Sequence, residues 1–563
     1  MQPIRFQPIR VQPIRVRPAS SLPHGVRRGT ALLVVLVVIT LLSLAAYTFS
    51  ELMVVESRAT RQYSRDAQAR ELANSAIDYV AAQLGNPVID IGDQPNYYHN
   101  PALFGAINVV TSDAVEGQGW FSIIASSEHD SSSQTVRFGL MNESARLNLN
   151  TILNYELDAE TQRFMLTALP NMTDEIADAI LDWIDTDTDP RESGCEFDYY
   201  QSLAPPYDPA DGELESIDDL LKVRGVTPAL LYGEDANRNG ILDPNENDGE
   251  ASLPLDNADG VLDVGWSVYL TTNSSESNLR PDESAKIDVN QSLLTELYDQ
   301  IADEYDEDLA TFITAYRLFG ATNVEPLETT TLADNSTGDV DTDAALQNLA
   351  TSMARQITGG AEQGSVTRGG LDLSQGATTD IESLFELLGA EVAATVNGQP
   401  ATLSSPLSAD SESLKLLLEN FATDSSSTIN GRINVNEARE ATLLTIPWMT
   451  TDLAAGIIAS RPTVGGDIAV DDLMAQRTNT GWILLEGLAD VTKMRELDAF
   501  VTTGGDVYRV QAVGRFTGPG PSCRVEAIID ASDDLPKITF RRDLTELGSG
   551  YRLDQLQPTT NSQ

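Results

Sequence analysis

The sequence predicts an α+β protein in which a long N-terminal transmembrane helix packs on a small antiparallel sheet, with a large, mainly α-helical domain inserted into that sheet. An uncharged apolar stretch runs from Ala31 to Phe49 and continues, without Gly or Pro, into a helix-permissive segment that ends near Leu84. β-rich runs lie after this helix, at 119–141, and again close to the end of the chain, at 507–542. Segments of helical periodicity fill the region between them.

The apolar stretch predicts one membrane span whose N-terminus lies in the cytoplasm. Residues 1–29 contain arginine but no acidic residue, whereas the remaining chain is strongly acidic. Positively charged flanks stay on the cytoplasmic side, so the bulk of the chain is predicted to lie on the other side of the membrane. The boundaries are a cytoplasmic leader at 1–29 and a membrane-spanning helix at 30–85.

Composition argues against several classes of function. The formal net charge of -49 opposes binding to nucleic acid, because phosphates would be repelled. The chain has 3 His and lacks the usual nucleophile, phosphate-loop and zinc motifs, so we predict no enzyme and no small-molecule substrate. Cys195 and Cys523 leave two alternatives open, one long-range disulfide or two buried thiols.

The β-rich runs divide between the two ends of the predicted sheet. Residues 86–141 supply its first part, and residues 499–545 supply its terminal strands. Residues 546–563 are predicted to be a disordered tail.

The region between the strands contains an internal repeat, RLNLN at 146–150, KIDVN at 286–290 and RINVN at 432–436, each followed by helical periodicity. We interpret the final Asn of each motif as a helix N-cap. The repeats predict repeated helical units at 142–324 and 432–498. Within them, LPNMTDEIADAI at 169–180, KVRGVTPALL at 222–231 and IPWMTTDLAAGII at 446–458 resemble SAM-like or helix-hairpin-helix elements. A poorly packed Ser/Thr/Asp-rich insertion at 325–431 is assigned to the third unit. Helix-hairpin-helix elements also leave an alternative function open, a membrane-anchored DNA receptor of the competence type.

One acidic loop in the first helical region matches the twelve-residue calcium loop. Asp, Asn and Glu side chains and one backbone carbonyl provide oxygen ligands, and Gly240 permits the sharp turn. The predicted ligands are Asp235, Asn237, Asn239, Ile241 (through its carbonyl), Asp243 and Glu246.

A second acidic loop repeats this pattern incompletely. Leu255 stands at its first position and Trp266 at its twelfth, where ligands are expected. Its candidate ligands are Asp256, Asn257, Asp259 and Asp263. The predicted cofactor is Ca²⁺.

The N-terminal flank resembles the leader of type IV pilins. Arg27, Arg28 and Gly29 directly precede Thr30 and the apolar stretch. The resemblance implies that prepilin peptidase cuts between Gly29 and Thr30, on the cytoplasmic side. Pilins generally carry Glu at the fifth mature position, where this chain has Val34, and the minor pseudopilin K class regularly lacks that Glu.

Three segments also resemble the helical domain of the minor pseudopilin K family of type II secretion systems. They are LDWIDTDTDP at 181–190, GCEFDYY at 194–200 and LLKVRGVT at 220–227. The resemblance implies a tip subunit of the pseudopilus that nucleates assembly, takes part in protein secretion across the outer membrane, and binds the minor pseudopilins I and J. It also implies calcium in the helical domain, and a single-pass anchor in the inner membrane with the bulk of the chain in the periplasm.

Overall fold

The computed structural model describes residues 28–85, 96–112, 117–126, 136–155, 157–324, 366–461, 477–518, 520–533 and 535–557. Most of the predicted leader, the first part of the predicted insertion (325–365) and the last residues of the predicted tail (558–563) lie outside this range. The chain divides into two compact units, one up to Ser64 and one from Arg65 onward.

A single helix of 57 residues runs from Arg28 to Leu84. Its first part is long and apolar enough to cross a membrane. Polar side chains in this part bond back to the helix itself, as Thr40 does to the carbonyl of Val37 at 2.9 Å, which satisfies them without water. The predicted long N-terminal helix is therefore confirmed.

Within the second unit, the end of this helix packs on a sheet through small and β-branched side chains. Ala69, Ala73, Ala76, Ile77 and Val80 are buried there. The approach is close, because a Cβ atom at Gly514 would lie 2.3 Å from the carbonyl oxygen of Ala69. Glycine at this strand position therefore allows the helix to contact the sheet.

The terminal sheet, as we call it, is antiparallel and combines strands from both ends of the second unit. Its main strands, in spatial order, are Ile107–Val110, Gly119–Ser126, Val507–Phe516, Ser522–Asp530 and Lys537–Asp543. Two short strands, Val136–Arg137 and Met141–Asn142, pair with its centre. Ala512 lies opposite Ile123 on one side and Val525 on the other. The predicted sheet built from the two ends of the chain is confirmed.

The inserted domain, residues 143–502, lies between these two groups of strands. Its helices are Ala159–Thr167, Asp174–Ile184, Phe197–Gln201, Pro228–Tyr232, Leu294–Glu304, Glu307–Phe319, Ser411–Asn420, Glu440–Leu443, Thr451–Ser460, Gly481–Leu485 and Val491–Leu497. A further short helix, Pro101–Phe104, precedes the terminal sheet. The strands of the inserted domain are Leu147–Asn148, Leu270–Thr271, Ser275–Ser277, Ile287–Asp288, Thr367–Arg368, Leu371–Asp372, Glu391–Val396, Gln399–Ser404, Phe421–Ala422, Thr428–Asn430, Ile433–Asn434 and Val501–Thr502. Most of the domain shares one hydrophobic core.

The three sequence repeats form three similar structural units. In each unit the motif is a two-residue strand that pairs, in parallel, with a strand much later in the chain: Leu147–Asn148 with Leu270–Thr271, Ile287–Asp288 with Phe421–Ala422, and Ile433–Asn434 with Val501–Thr502. A pair of helices follows the first strand of each unit. Each unit is thus closed by its own returning strand.

The final Asn of each motif closes its unit, and the N-cap interpretation is wrong. Asn150, Asn290 and Asn436 each donate both amide hydrogens to backbone carbonyls of two later segments. The acceptors are Leu214 and Thr272, Ile381 and Thr423, and Arg477 and Thr503, at 2.9–3.2 Å. The preceding polar residue, as in Asn148, caps the local turn instead.

The described part of the predicted insertion, 366–431, differs from the expectation of poor packing. Phe385, Val392 and Phe421 are buried in the core of the inserted domain. Strand Phe421–Ala422 pairs with the second motif, so the segment belongs to the second unit and not to the third. In strand Glu391–Val396, Val392 and Ala394 are buried between exposed neighbours, so apolar residues in this polar segment still contribute to the core.

Residues 546–557 also differ from the predicted disordered tail. Tyr551 and Leu556 are 4% and 0% exposed. They pack with Trp120, Ile124 and Val513 on one face of the terminal sheet. These two large apolar side chains are the physical reason for the order.

Candidate metal centre

The first acidic loop follows helix Pro228–Tyr232, before the strand that closes the first unit. Gly240 has φ +69°, in the left-handed region, and a Cβ atom there would lie 2.4 Å from the Cβ of Ser126. Both the turn and the close contact require glycine at this position.

Two buried carboxylates organise the backbone of this loop. Asp235 accepts hydrogen bonds from the N–H groups of Asn239, at 3.0 Å, and Gly240, at 2.8 Å. Glu246 accepts from the N–H of Asp243 at 3.0 Å and from the N–H of the residue after Asp235 at 3.0 Å. The first and twelfth positions of the loop are therefore held together.

The remaining predicted side-chain ligands meet at Asp243. The amide nitrogens of Asn237 and Asn239 donate to one carboxylate oxygen of Asp243, at 2.6 and 2.9 Å. Oδ1 of Asn237 is buried and has no hydrogen-bond partner in the described part of the chain. Rotation of this amide by 180° would exchange its nitrogen and oxygen and present Oδ1 to a cation. Ile241 is in the same loop, and its side chain is buried beside the terminal sheet.

The electrostatics of this loop suit a hard divalent cation. Burial raises the pKa of Asp235 to about 6 and that of Glu246 to about 7. Arg524 offsets only part of the effect of burial on the pKa of Asp235, so a bound cation would supply positive charge that these two carboxylates lack. Oxygen donors alone, including an unpartnered amide oxygen, match the preference of Ca²⁺.

The second acidic loop repeats the hydrogen bonding of the first. Asn257 donates to Asp263 at 3.1 Å, as Asn237 does to Asp243, and Asp259 accepts from the N–H of Val261 at 2.8 Å. Asp256 accepts from the backbone N–H groups of Asp248, Gly249 and Ala258. Asp256 thus stabilises the local turn, whereas the other three candidates share the arrangement of the first loop.

Glu234, which sequence reasoning missed, completes the second loop. Its carboxylate accepts from the N–H groups of Asn257, at 3.3 Å, and Asp263, at 3.1 Å. It contacts Asp263 as Glu246 contacts Asp243. Trp266, at the position where Glu was expected, is buried and donates its indole N–H to the carbonyl of Pro170. The only signal in the sequence is an extra Glu directly before the first loop.

A third group of oxygen donors, Asp182, Asp185 and Glu196, also went unpredicted as a metal centre. One carboxylate oxygen from each residue lies within 4.8 Å of the others, and all three residues are buried. Arg191 pairs with Asp182 and Asp185. Oε1 of Glu196 has no hydrogen-bond partner in the described ranges, and burial raises the pKa of Glu196 to about 7. These three carboxylates are therefore a further candidate site for a cation, separate from the two acidic loops.

The N-terminal positions and the cysteines lie elsewhere. Gly29 and Thr30 lie in the first turn of the long helix, and Val34 follows in the apolar stretch. Cys195 and Cys523 are both buried free thiols. Their hydrogen-bond partners are Tyr200, at 3.3 Å, and Thr545, at 3.1 Å. Of the two alternatives, the structure has the unpaired thiols.

Comparisons with known proteins identify the first unit. Residues 145–232 match the family model of type II secretion system (T2SS) protein K. Type II secretion system protein K of Aeromonas hydrophila is 31% identical over 219 residues, which cover 36% of this chain and 60% of the relative. The corresponding protein of Pectobacterium carotovorum subsp. carotovorum is 27% identical over 207 residues, with the same two coverages. The match thus spans 60% of the length of these curated relatives.

One solved structure is also similar. It is the crystal structure of the GspK-GspI-GspJ complex from the type 2 secretion system of enterotoxigenic Escherichia coli, with 10% sequence identity and a TM-score of 0.33. The similarity covers 87% of this chain and 99% of that chain. The family model and the two relatives agree with the resemblance found in the sequence, and the part of the chain that matches the type II secretion system protein K family model is residues 145–232.

Proposed function

We propose that this chain is a minor pseudopilin at the tip of the type II secretion pseudopilus, where it nucleates assembly and takes part in protein secretion across the outer membrane. The observation that carries the proposal is the match of residues 145–232 to the protein K family model. These residues lie in a domain that is inserted between the first and the last strands of the terminal sheet. The apolar helix before that sheet supports a membrane-anchored subunit.

The proposed partners are the minor pseudopilins I and J, together with prepilin peptidase. The chain is proposed to span the inner membrane once, with a cytoplasmic N-terminus and a periplasmic bulk. The arginine-rich flank before the span and the acidic chain after it support this orientation.

Co-purification tests the assignment. The full-length chain is coexpressed with the I and J pseudopilins of its own organism, extracted in detergent and purified through a tag on this chain. We expect a complex with both partners, and loss of secretion and of pseudopili when the gene is deleted. Normal secretion in the deletion strain would contradict the proposal. Retention of duplex DNA by the purified chain at low salt would favour the DNA-receptor alternative.

We also propose that the first acidic loop binds Ca²⁺ through Asp235, Asn237, Asn239, Asp243, Glu246 and the carbonyl of Ile241. The second loop is proposed to bind through Asn257, Asp259 and Asp263, with Glu234 replacing the missing twelfth ligand. The buried carboxylates with raised pKa values and the unpartnered Asn237 oxygen support this proposal.

Thermal unfolding of the full-length chain in detergent tests the first loop. Calcium at a hundred times its dissociation constant is expected to stabilise the fold by about 2.7 kcal/mol relative to chelator. Magnesium is expected to stabilise it less, because it requires a tighter octahedral shell. The Glu246→Gln variant should lose most of the calcium effect, and Glu250→Gln, at an exposed position in the same acidic segment, should keep it. Equal midpoints in calcium and chelator for the wild type would refute calcium binding.

A further inference from the structure

The first acidic loop lies directly against the terminal sheet. Three consecutive backbone carbonyls of the loop accept hydrogen bonds from side chains outside the inserted domain. The pairs are Asn237 with Arg524, Arg238 with Gln511 at 3.0 Å, and Asn239 with Tyr551 at 3.3 Å. The loop therefore contacts two strands of the sheet and the C-terminal segment through its backbone.

The C-terminal segment, residues 548–557, completes this contact. The side-chain amide of Asn239 donates to the carbonyl of Gly550. The single hydroxyl hydrogen of Tyr551 is shared between the carbonyl of Asn239 and the side-chain oxygen of Gln511, which lies at 2.8 Å. Ser122 of the sheet donates to the carbonyl of Leu556 at 2.8 Å. Ile241 of the loop packs in the same hydrophobic cluster as Tyr551 and Leu556. One loop thus links the inserted domain, the sheet and the end of the described chain.

We propose that calcium in the first acidic loop fastens the inserted domain and the C-terminal segment to the terminal sheet. This inference rests on the calcium binding proposed above. The side chains of Asn237 and Asn239 contact Asp243 in the metal centre. The carbonyl of Asn237 faces Arg524 of the sheet, and the carbonyl of Asn239 faces Tyr551 of the C-terminal segment. Fixing the two side chains on a cation therefore fixes carbonyls that the sheet and the C-terminal segment contact. Without the cation, the carboxylates of Asp235, Asp243 and Glu246 repel one another, and the loop backbone loses its ordered position.

Coupling of this kind is reciprocal. If calcium stabilises the docked loop, then contacts between the loop and the sheet must raise calcium affinity by the same factor. Tyr551 is suited to test this coupling, because substitution by Phe removes the hydroxyl that contacts the loop and keeps the ring in the hydrophobic cluster.

Hydrogen exchange and direct calcium binding, both on the full-length chain in detergent, test the proposal. Calcium is expected to slow amide exchange in residues 548–557 at least about 5-fold relative to chelator, within the usual range of coupling between sites. Helix Glu307–Phe319, which belongs to the second unit and lies outside the contact, is the internal control and should exchange equally in both conditions. Calcium bound per chain is measured by equilibrium dialysis, with Glu246→Gln as the reference that lacks the site.

The Tyr551→Phe variant should still bind calcium in the first loop, with an affinity several-fold weaker and a smaller change in exchange. Tyr316→Phe is the matched control, since it removes a buried tyrosine hydroxyl that contacts Glu386 at 2.9 Å, and it should behave as the wild type. If the wild type binds more calcium than Glu246→Gln, but residues 548–557 exchange at the same rate in calcium and in chelator, the fastening is refuted and the calcium site stands. If the wild type and Glu246→Gln bind equal calcium, both proposals fail.

Discussion

Glu143 is a fully buried carboxylate at the junction between the inserted domain and the terminal sheet. Arg509, on a central strand of the sheet, donates to it at 2.7 and 3.2 Å. Arg146 and Thr271, from the inserted domain, donate to it as well. Burial alone would raise its pKa, but Arg146 and Arg509 outweigh burial and lower the pKa of Glu143 to about 2. This residue therefore joins the two parts by charge-assisted hydrogen bonds.

The Glu143→Gln substitution is expected to destabilise the fold by about 3 kcal/mol at pH 7, because it removes the negative charge that the buried Arg146 and Arg509 share. The folded pKa lies below the ordinary value of 4.5, so the contribution is fully present above pH 4.5 and is lost as the pH falls towards 2. Denaturant unfolding of wild type and variant at pH 7 and pH 3 measures this. The exposed Glu440→Gln is the control, and an equal loss at both pH values would contradict the argument.

At the scale of single elements, the repeated motif shows which part of a pattern the sequence can predict. The recurrence of basic, apolar and Asn residues predicted three related units, and the structure contains them. The role of the final Asn could not be predicted, because its partners lie far along the chain: Asn290 bonds to Ile381 and Thr423. A local N-cap was the nearest interpretation that sequence spacing permits.

The Asn290→Ala substitution should therefore open the second unit. It removes two donated hydrogen bonds and one accepted from the N–H of Ile381, each at 2.9 Å. We expect a loss of about 2 kcal/mol or more, because partly buried backbone groups lose their partners. Urea unfolding measures it, and hydrogen exchange should rise in strand Phe421–Ala422. Asn154→Ala, at an exposed position of the first unit, should change neither.

Acidic loops illustrate the same limit at a candidate site. The arrangement of Asp235, Asn237 and Asp243 in one turn could be predicted, because their spacing along the chain determines that turn. Glu234 could not be assigned to the second loop, because its contacts to Asn257 and Asp263 depend on how two loops fold together. Composition also misled at 366–431, where polar residues suggested poor packing although Phe385, Val392 and Phe421 are buried in the core.

At the level of the second unit, the position of the inserted domain follows from the terminal sheet, because a strand that precedes this domain pairs with a strand that follows it. Strand Gly119–Ser126 pairs with Val507–Phe516, so the two ends of the inserted domain leave the sheet from neighbouring strands. The β-rich runs at 119–141 and 507–542 made a sheet of strands from both sides of the inserted domain predictable. The contact of the first loop with Arg524 and Tyr551 was not, because it depends on the mutual position of the parts once folded.

Processing of the leader is expected to give a mature chain that begins at Thr30. We expect prepilin peptidase to remove residues 1–29, because Gly29 follows a basic flank and stands two residues before the apolar stretch that begins with Ala31. The intact mass of chain extracted from membranes of cells with the peptidase should correspond to a protein that starts at Thr30, whereas cells without the peptidase should retain the leader. A bulky side chain in Gly29→Leu should prevent cutting, and Gly25→Leu, at a glycine four residues upstream, should leave it unchanged. Since the span is retained after cutting, the processed chain should stay in the membrane fraction. A mature protein that still carries its leader in peptidase-positive cells would show that the N-terminal helix is an ordinary anchor.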